Sequence, residues 1–268
     1  PVFTLIRSYI DSKNPTNAVL KIMDDKVATK KIQNYLNIDT TLNNSPIARR
    51  IIFETGQTIK PNIVLVIMES MSAAKMKRHG NKNNLTPFLD SLVYQSIYFD
   101  NAYTSGKHTF NGIFSTLFSF PALYRKHPMK VVKKYDGLSS TLLKNGYSTN
   151  YFTTHDSQFD KPFFATFMTA SDHGPYYIPN YFEPKSVDIK QQIIEYADWS
   201  LRQFISLSSQ QKWFGNTLFI FVADHGAALN PKYDIPLNYF HSPLLFYAPQ
   251  IFKNDTIYKC ISSQIDIY

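Results

Sequence analysis

Five short apolar runs, all beyond residue 60, set the plan of the chain. The first, Ile63-Val64-Leu65-Val66-Ile67-Met68, is apolar at every position and rich in β-branched residues. A strand with no polar alternation is buried on both faces, which is the place of a central strand in a parallel sheet. Runs of the same type recur at Tyr147 to Thr153, Phe163 to Thr169, Thr217 to Ala223 and Pro243 to Tyr247. Each is long enough for a strand and too short for a helix.

Between these runs the period changes. Thr86 to Gln95 predicts a helix opened by Thr86 as cap and Pro87 as first helical residue. Ile189 to Leu207 predicts a longer one, with Ile193, Ile194, Ala197, Leu201 and Phe204 on one stripe. Ile113 to Phe118 is a third helical stretch. Strands alternating with helices predict an α/β fold, a mostly parallel sheet flanked by helices on both faces. Residues 1 to about 60 read differently, as a polar, helical and irregular lead-in with turns such as Asn43-Asn44-Ser45-Pro46. The expected division is therefore a lead-in over 1–60 and one main domain over 61–268.

Composition narrows the class. The 268 residues are 44% hydrophobic and 15% aromatic with only 9 Gly, which suits a packed core and excludes a disordered or collagen-like chain. The net charge of +8 favours anionic partners. The basic residues are dispersed in pairs such as Lys30-Lys31, Arg49-Arg50 and Lys133-Lys134, so no nucleic-acid groove is expected. Cys260 stands alone, which rules out an intramolecular disulfide and a cysteine-based zinc site. No run reaches the ~18 apolar residues of a membrane span, and no signal peptide opens the chain. A start at Pro1 and a stop at Tyr268 read as cuts within a longer polypeptide.

In open α/β sheets ligands bind beyond the carboxyl ends of the strands, and here those ends carry metal-ligand residue types. The first run ends in Glu69, the second approaches His155-Asp156, the third leads into Asp172-His173, and the fourth ends in Asp224-His225-Gly226. His241 lies just before the fifth run. Carboxylates and imidazoles suit Zn²⁺ or Mn²⁺, and separate strand ends place them on one rim. Any one of these residues also serves as a helix cap or a loop hydrogen-bonder. The nucleophile candidate is Thr109, in Gly106-Lys107-His108-Thr109-Phe110-Asn111-Gly112, a polar turn running into an apolar helix. A helix N-terminus favours an anion such as phosphate, and the competing role for Thr109 is simple capping. His79, His108 and His127 read as surface or local structural residues.

Together Asn62 to Ser70, Thr86-Pro87-Phe88-Leu89-Asp90, Gly106-Lys107-His108-Thr109, Ser171-Asp172-His173-Gly174-Pro175-Tyr176 and Ala223-Asp224-His225-Gly226 resemble, in order and spacing, lipoteichoic acid synthases and their sulfatase-family relatives. The resemblance runs from about residue 61 to the end and implies an alkaline-phosphatase-like sandwich. It implies that Glu69, Thr109, Asp224 and His225 hold one divalent cation, Mn²⁺ or Zn²⁺, with Thr109 as nucleophile. His173 takes the place of a substrate-contacting histidine, and His241 that of a histidine beside a possible second metal.

Lys107 and His155 are expected to help bind substrate. The substrates implied are an anionic or zwitterionic phospholipid headgroup, of phosphoglycerol type, and an alcohol acceptor on an envelope polymer, glycan or lipid. Phosphoethanolamine transfer, phosphoester hydrolysis and a non-catalytic envelope-binding role remain alternatives. The setting implied is outside a bacterial cell membrane, periplasmic or extracellular, with a membrane segment preceding this chain. Two departures stand out. The sequence passes directly from Asp160 to Lys161 where relatives carry a longer segment, and relatives continue beyond Tyr268. No Cys/Ser-x-Pro-x-Arg string is present, which disfavours sulfate-ester cleavage.

Overall fold

The computed structural model describes residues 23–35, 59–121, 134–152, 162–170, 174–226 and 237–268, with isolated positions before residue 11. The chain divides into two compact units, Pro1–Thr58 and Ile59–Tyr268. In the first, the helix Asp25–Tyr35 (α1) begins where Asp24 Oδ1 accepts the Lys26 N–H at 2.9 Å, and it buries no residue. No helix among the described residues is long and apolar enough to cross a membrane.

The second unit is built on a seven-stranded sheet. Its strands are β1 (Asn62–Met68), β2 (Ile97–Tyr103), β3 (Ser148–Phe152), β4 (Phe163–Met168), β5 (Thr217–Ala223), β6 (Leu244–Tyr247) and β7 (Thr256–Ser263). They lie in the order β3-β4-β1-β5-β6-β2-β7. The pairs β3/β4, β4/β1, β1/β5 and β2/β7 are parallel, whereas β6 runs antiparallel to both β5 and β2. All five apolar runs are strands. β2 and β7 are additional: β2 carries Asp100 and Asn101, and β7 is largely exposed, so neither shows a continuous apolar signal.

Helices cover both faces. On one side Val64, Val66, Phe219 and Phe221 pack against Leu89 of α2 (Pro87–Leu92) and against Ile193, Leu201 and Ile205 of α5 (Ile189–Ser208). On the other, Leu65, Ile67, Ile220 and Val222 meet Ile113 and Leu117 of α3 (Thr109–Phe118) and Leu138 and Leu142 of α4 (Leu138–Lys144). Successive strand residues point to opposite faces, so a run apolar at every position feeds both cores. The α5 stripe is as the sequence predicts, except that Ile205 joins the buried core and Phe204 is only partly buried.

The start of α2 is held from outside. Thr86 caps it in position but its hydroxyl turns to Asp90, at 2.9 Å. The free N–H groups of Phe88 and Leu89 donate instead to the two carboxylate oxygens of Asp198 in α5, both at 2.8 Å. Asp198 is only 2% exposed. Burial raises its pKa from 3.8 to about 6, against the pull of the two backbone donors. The folded state therefore keeps a proton that the unfolded chain has lost, and stability falls as pH rises from about 4 to about 6. About two units amount to ~3 kcal/mol. Urea titrations of the protein and of Asp198→Asn should show the wild type losing up to that much relative to the variant over this window and nothing further above it. A pH-independent difference would assign the ionisation elsewhere.

Candidate functional site

The parallel register makes the first pairing. Met68 lies opposite Ala223, so Glu69 and Asp224 leave the sheet side by side. The Asp224 N–H donates to the Met68 carbonyl at 3.1 Å, and the Glu69 N–H donates to Thr169 Oγ1 at 2.9 Å, which ties in the end of β4. Both carboxylates are out of water, with Glu69 6% and Asp224 0% exposed.

Backbone donors then aim Asp224. Ser70 sits in the left-handed region at φ 52°, a conformation that turns its N–H back onto Asp224 Oδ1 at 2.7 Å. The His225 N–H reaches the same oxygen at 2.7 Å. Oδ1 is thus satisfied twice, while the buried Oδ2 has no hydrogen-bond partner. His225 Nδ1 lies 2.8 Å from the Gly226 carbonyl. A carbonyl only accepts, so Nδ1 carries the proton and the Nε2 lone pair faces the cluster. Nε2 is 3.4 Å from Asp224 Oδ2 and 3.8 Å from Glu69 Oε1.

Thr109 is the first residue of α3, and the cap position belongs to His108, whose side chain makes no capping bond. The Thr109 hydroxyl lies 3.4 Å from Glu69 Oε1 and 3.5 Å from His225 Nε2. The helix comes this close because of Gly112. A Cβ there would stand 1.9 Å from the Asp224 carbonyl oxygen, inside any tolerable contact. Gln264, 1% exposed, fixes the same region from the far end of the chain. Its Nε2 donates to the carbonyls of Ala223 at 2.6 Å and Asp224 at 2.8 Å, and its Oε1 accepts the Ser105 N–H at 3.0 Å. One amide therefore joins the exit of β5 to the turn that delivers Thr109.

These residues fit a divalent cation. Ligand atoms of Glu69, Asp224 and His225 lie within 4.8 Å of one another, the donor set is hard to borderline, and an unpartnered carboxylate oxygen points into it. Two buried carboxylates this close repel each other unless a positive charge lies between them. A cavity of about 340 Å³ opens over the cluster, lined by Glu69, Thr109 and His225 and by Lys107, His108 and Phe110. Lys107 is exposed on its wall. His108 lines the cavity rather than lying outside it, with its ring stacked on Phe110 at 5.4 Å.

His241 is on the same edge of the sheet, because β6 is antiparallel and presents its start where its neighbours present their ends. Its ring turns toward β2. Nε2 is 2.8 Å from the Asp100 carbonyl oxygen, and the ring stacks on Tyr103 at 5.2 Å and meets His79 edge-on at 4.6 Å. Burial, then the neighbouring His241, lowers His79 to about 4. Among the described residues, the ligand cluster contains Glu69, Asp224 and His225 and not His241. His155 and His173, with Asp156 and Asp172, lie outside the described residues. Ser70, Gly112 and Gln264 escape sequence reasoning. Gly112 leaves a trace, a glycine inside an apolar helical stretch. Gln264 leaves none.

A family model described as Sulfatase matches residues 61–159 and 152–268. A protein in the alkaline phosphatase superfamily from Vibrio parahaemolyticus superposes with a TM-score of 0.79 at 21% identity, over 91% of this chain and 73% of that one. The lipoteichoic acid synthase LtaP from Listeria monocytogenes gives 0.68 at 16% identity, over 89% and 76%. The C-terminal periplasmic domain of the phosphoethanolamine transferase EptC from Campylobacter jejuni gives 0.59 at 16%, over 78% and 87%. The fold is alkaline-phosphatase-like, as the motif pattern implies.

Two substitutions test the geometry. Gly112→Ala must move α3 off the β5 exit, and turnover of p-nitrophenyl phosphate is expected to fall ~10²-fold if the Thr109 hydroxyl shifts by ~1 Å. Gln264→Leu removes three hydrogen bonds behind the ligands and should weaken Mn²⁺ or Zn²⁺ binding, read by calorimetry, by ~10-fold or more. Wild-type metal affinity in Gln264→Leu would refute its positioning role.

Proposed function

Since the chain belongs to the sulfatase family, we propose that it is a metal-dependent phosphotransferase that moves a phospho-headgroup, of phosphoglycerol type, from a membrane lipid to an alcohol acceptor. The observation that carries this reading is the Thr109 hydroxyl at the head of α3, within 3.5 Å of two of the three residues of a buried cluster suited to a cation. The likeness to a lipoteichoic acid synthase and a phosphoethanolamine transferase supports it. A threonine at this position, with no Cys/Ser-x-Pro-x-Arg string in the sequence, favours phosphate over sulfate.

Glu69, Asp224, His225 and Thr109 would hold one divalent cation, Mn²⁺ or Zn²⁺. When bound, it supplies Lewis-acid stabilisation of charge on the transferring oxygens and makes a neighbouring hydroxyl more acidic. Thr109 Oγ1 attacks phosphorus, the bond to the lipid's glycerol oxygen breaks, and diacylglycerol leaves. The hydroxyl proton departs along the 3.4 Å contact to Glu69 Oε1. The positive end of α3 and Lys107 face the incoming anion. His173, with His155, is the proposed donor of a proton to the leaving oxygen, on the strength of the motif alone. The acceptor alcohol then attacks the phosphothreonine, regenerating the Thr109 hydroxyl. The site works outside a bacterial membrane, where such lipids and envelope polymers meet.

Fluorescent phosphatidylglycerol and phosphatidylethanolamine, supplied separately with Mn²⁺ or Zn²⁺, test donor and chemistry together. Diacylglycerol release from phosphatidylglycerol is expected, lost by ~10³-fold or more in Thr109→Ala with metal binding retained. Release from phosphatidylethanolamine alone would change the headgroup. Turnover of p-nitrophenyl phosphate with neither lipid cleaved would leave a hydrolase, and metal-free, inactive protein would leave an envelope-binding module.

A further inference from the structure

A second cavity, of about 210 Å³, is lined by residues of two segments, one leaving the carboxyl end of β1 and one leaving that of β4, and by α5. The lining is part apolar and aromatic, with Leu85, Pro87, Phe182 and Trp199, and part polar, with Asn84, Glu183, Lys185 and Arg202. None of these residues belongs to the Glu69 cluster or to the cavity above it.

The walls are anchored. Asp198 pins the start of α2 through the Phe88 and Leu89 N–H groups. Glu195 pins the other segment, accepting the Lys185 N–H at 2.7 Å and the Ser186 hydroxyl at 2.6 Å. Phe182 packs against Tyr196 at 5.3 Å and Trp199 at 5.6 Å. A cavity tied to one helix at both sides exists before a ligand arrives, as small-molecule sites usually do.

Its chemistry is selective. Glu183 and Arg202 are exposed at the cavity, and Arg202 also lies over the Phe88 ring at 6.0 Å, so the polar lining offers both a carboxylate acceptor and guanidinium donors to a ligand. The lining carries three carboxylates, Glu183, Glu195 and Asp198, against two cations, Lys185 and Arg202, a balance that gives no net attraction for a phosphate. A sugar ring pairs an apolar C–H face with hydroxyls that both donate and accept, the combination this lining offers. The volume is below the ~300–1,000 Å³ of most ligand sites, which fits one ring rather than a chain.

We propose that this cavity binds a single neutral sugar ring, its C–H face on Phe182 and Trp199 and its hydroxyls on Glu183, Arg202 and Asn84. Its role, docking a glycan acceptor for the Thr109 site, rests on the transferase reading; the binding itself does not.

The chain has two tryptophans, so Trp213→Phe leaves Trp199 as sole reporter. That protein is titrated with glucose, galactose and N-acetylglucosamine, and with glycerol 3-phosphate for contrast, following fluorescence. A saturable change with at least one sugar is expected, weakened at least tenfold by Glu183→Gln and by Arg202→Ala and kept in Thr109→Ala. Circular dichroism checks that each variant is folded. No saturable change with any of the three sugars, a response indifferent to both substitutions, or a stronger response to glycerol 3-phosphate would overturn the proposal. Because no turnover is read, failure of the phosphotransfer chemistry leaves this result standing, and the reverse.

Discussion

Two carboxylates forced together out of water are the constraint around which the catalytic end is arranged. Parallel pairing of β1 and β5 sets Met68 against Ala223, and strands in register are under 5 Å apart, so Glu69 and Asp224 have no freedom to separate. Burying like charges is strongly unfavourable without compensation. Half of the compensation is visible in the chain: Ser70 and His225 N–H groups saturate one oxygen of Asp224. The other oxygen is left bare, near an imidazole Nε2 that carries no proton, the ring's proton being held on Nδ1 by the Gly226 carbonyl. The cluster is a receptacle for positive charge, assembled by backbone hydrogen bonds before any ion arrives.

Placing the Thr109 hydroxyl against such a receptacle is a packing problem. Thr109 is delivered by a helix from beyond β2, two strands away from β5 in the sheet. Gly112 allows helix backbone to touch strand-exit backbone, and Gln264 clamps that exit to the turn before the helix. Neither needs to contact substrate. Each fixes the distance between the Thr109 turn and the β5 exit, Gly112 by close backbone contact and Gln264 by three hydrogen bonds.

The division between what the sequence reveals and what it hides follows from this. Central strands are legible because burial on both faces demands an unbroken apolar run, and Glu69 and Asp224-His225 are legible because they end such runs. The sheet's outer part is not. β2 carries Asp100 to meet Arg78, and β7 keeps Tyr258, Lys259 and Ile261 exposed, so their strand character comes from pairing rather than from local pattern. The positioning residues are hidden for a related reason. Gln264 is one polar residue among several near the end of the chain, and its value lies in carbonyls some forty positions away.

His241 illustrates how placement and orientation separate. The reversal of β6 brings it to the edge where the other strands end, which a reading of the run as one more parallel strand does not give. Where the ring points is decided by neighbours that no motif encodes: Tyr103 beside it, the Asp100 carbonyl at hydrogen-bond distance, and a neutral, half-buried His79 at its edge. A histidine engaged in this way has one ring nitrogen spent on the backbone, which leaves it a single ring nitrogen for any other partner. Strand direction thus fixes which residues share the rim, while the packing behind the rim fixes which of them face the cation receptacle.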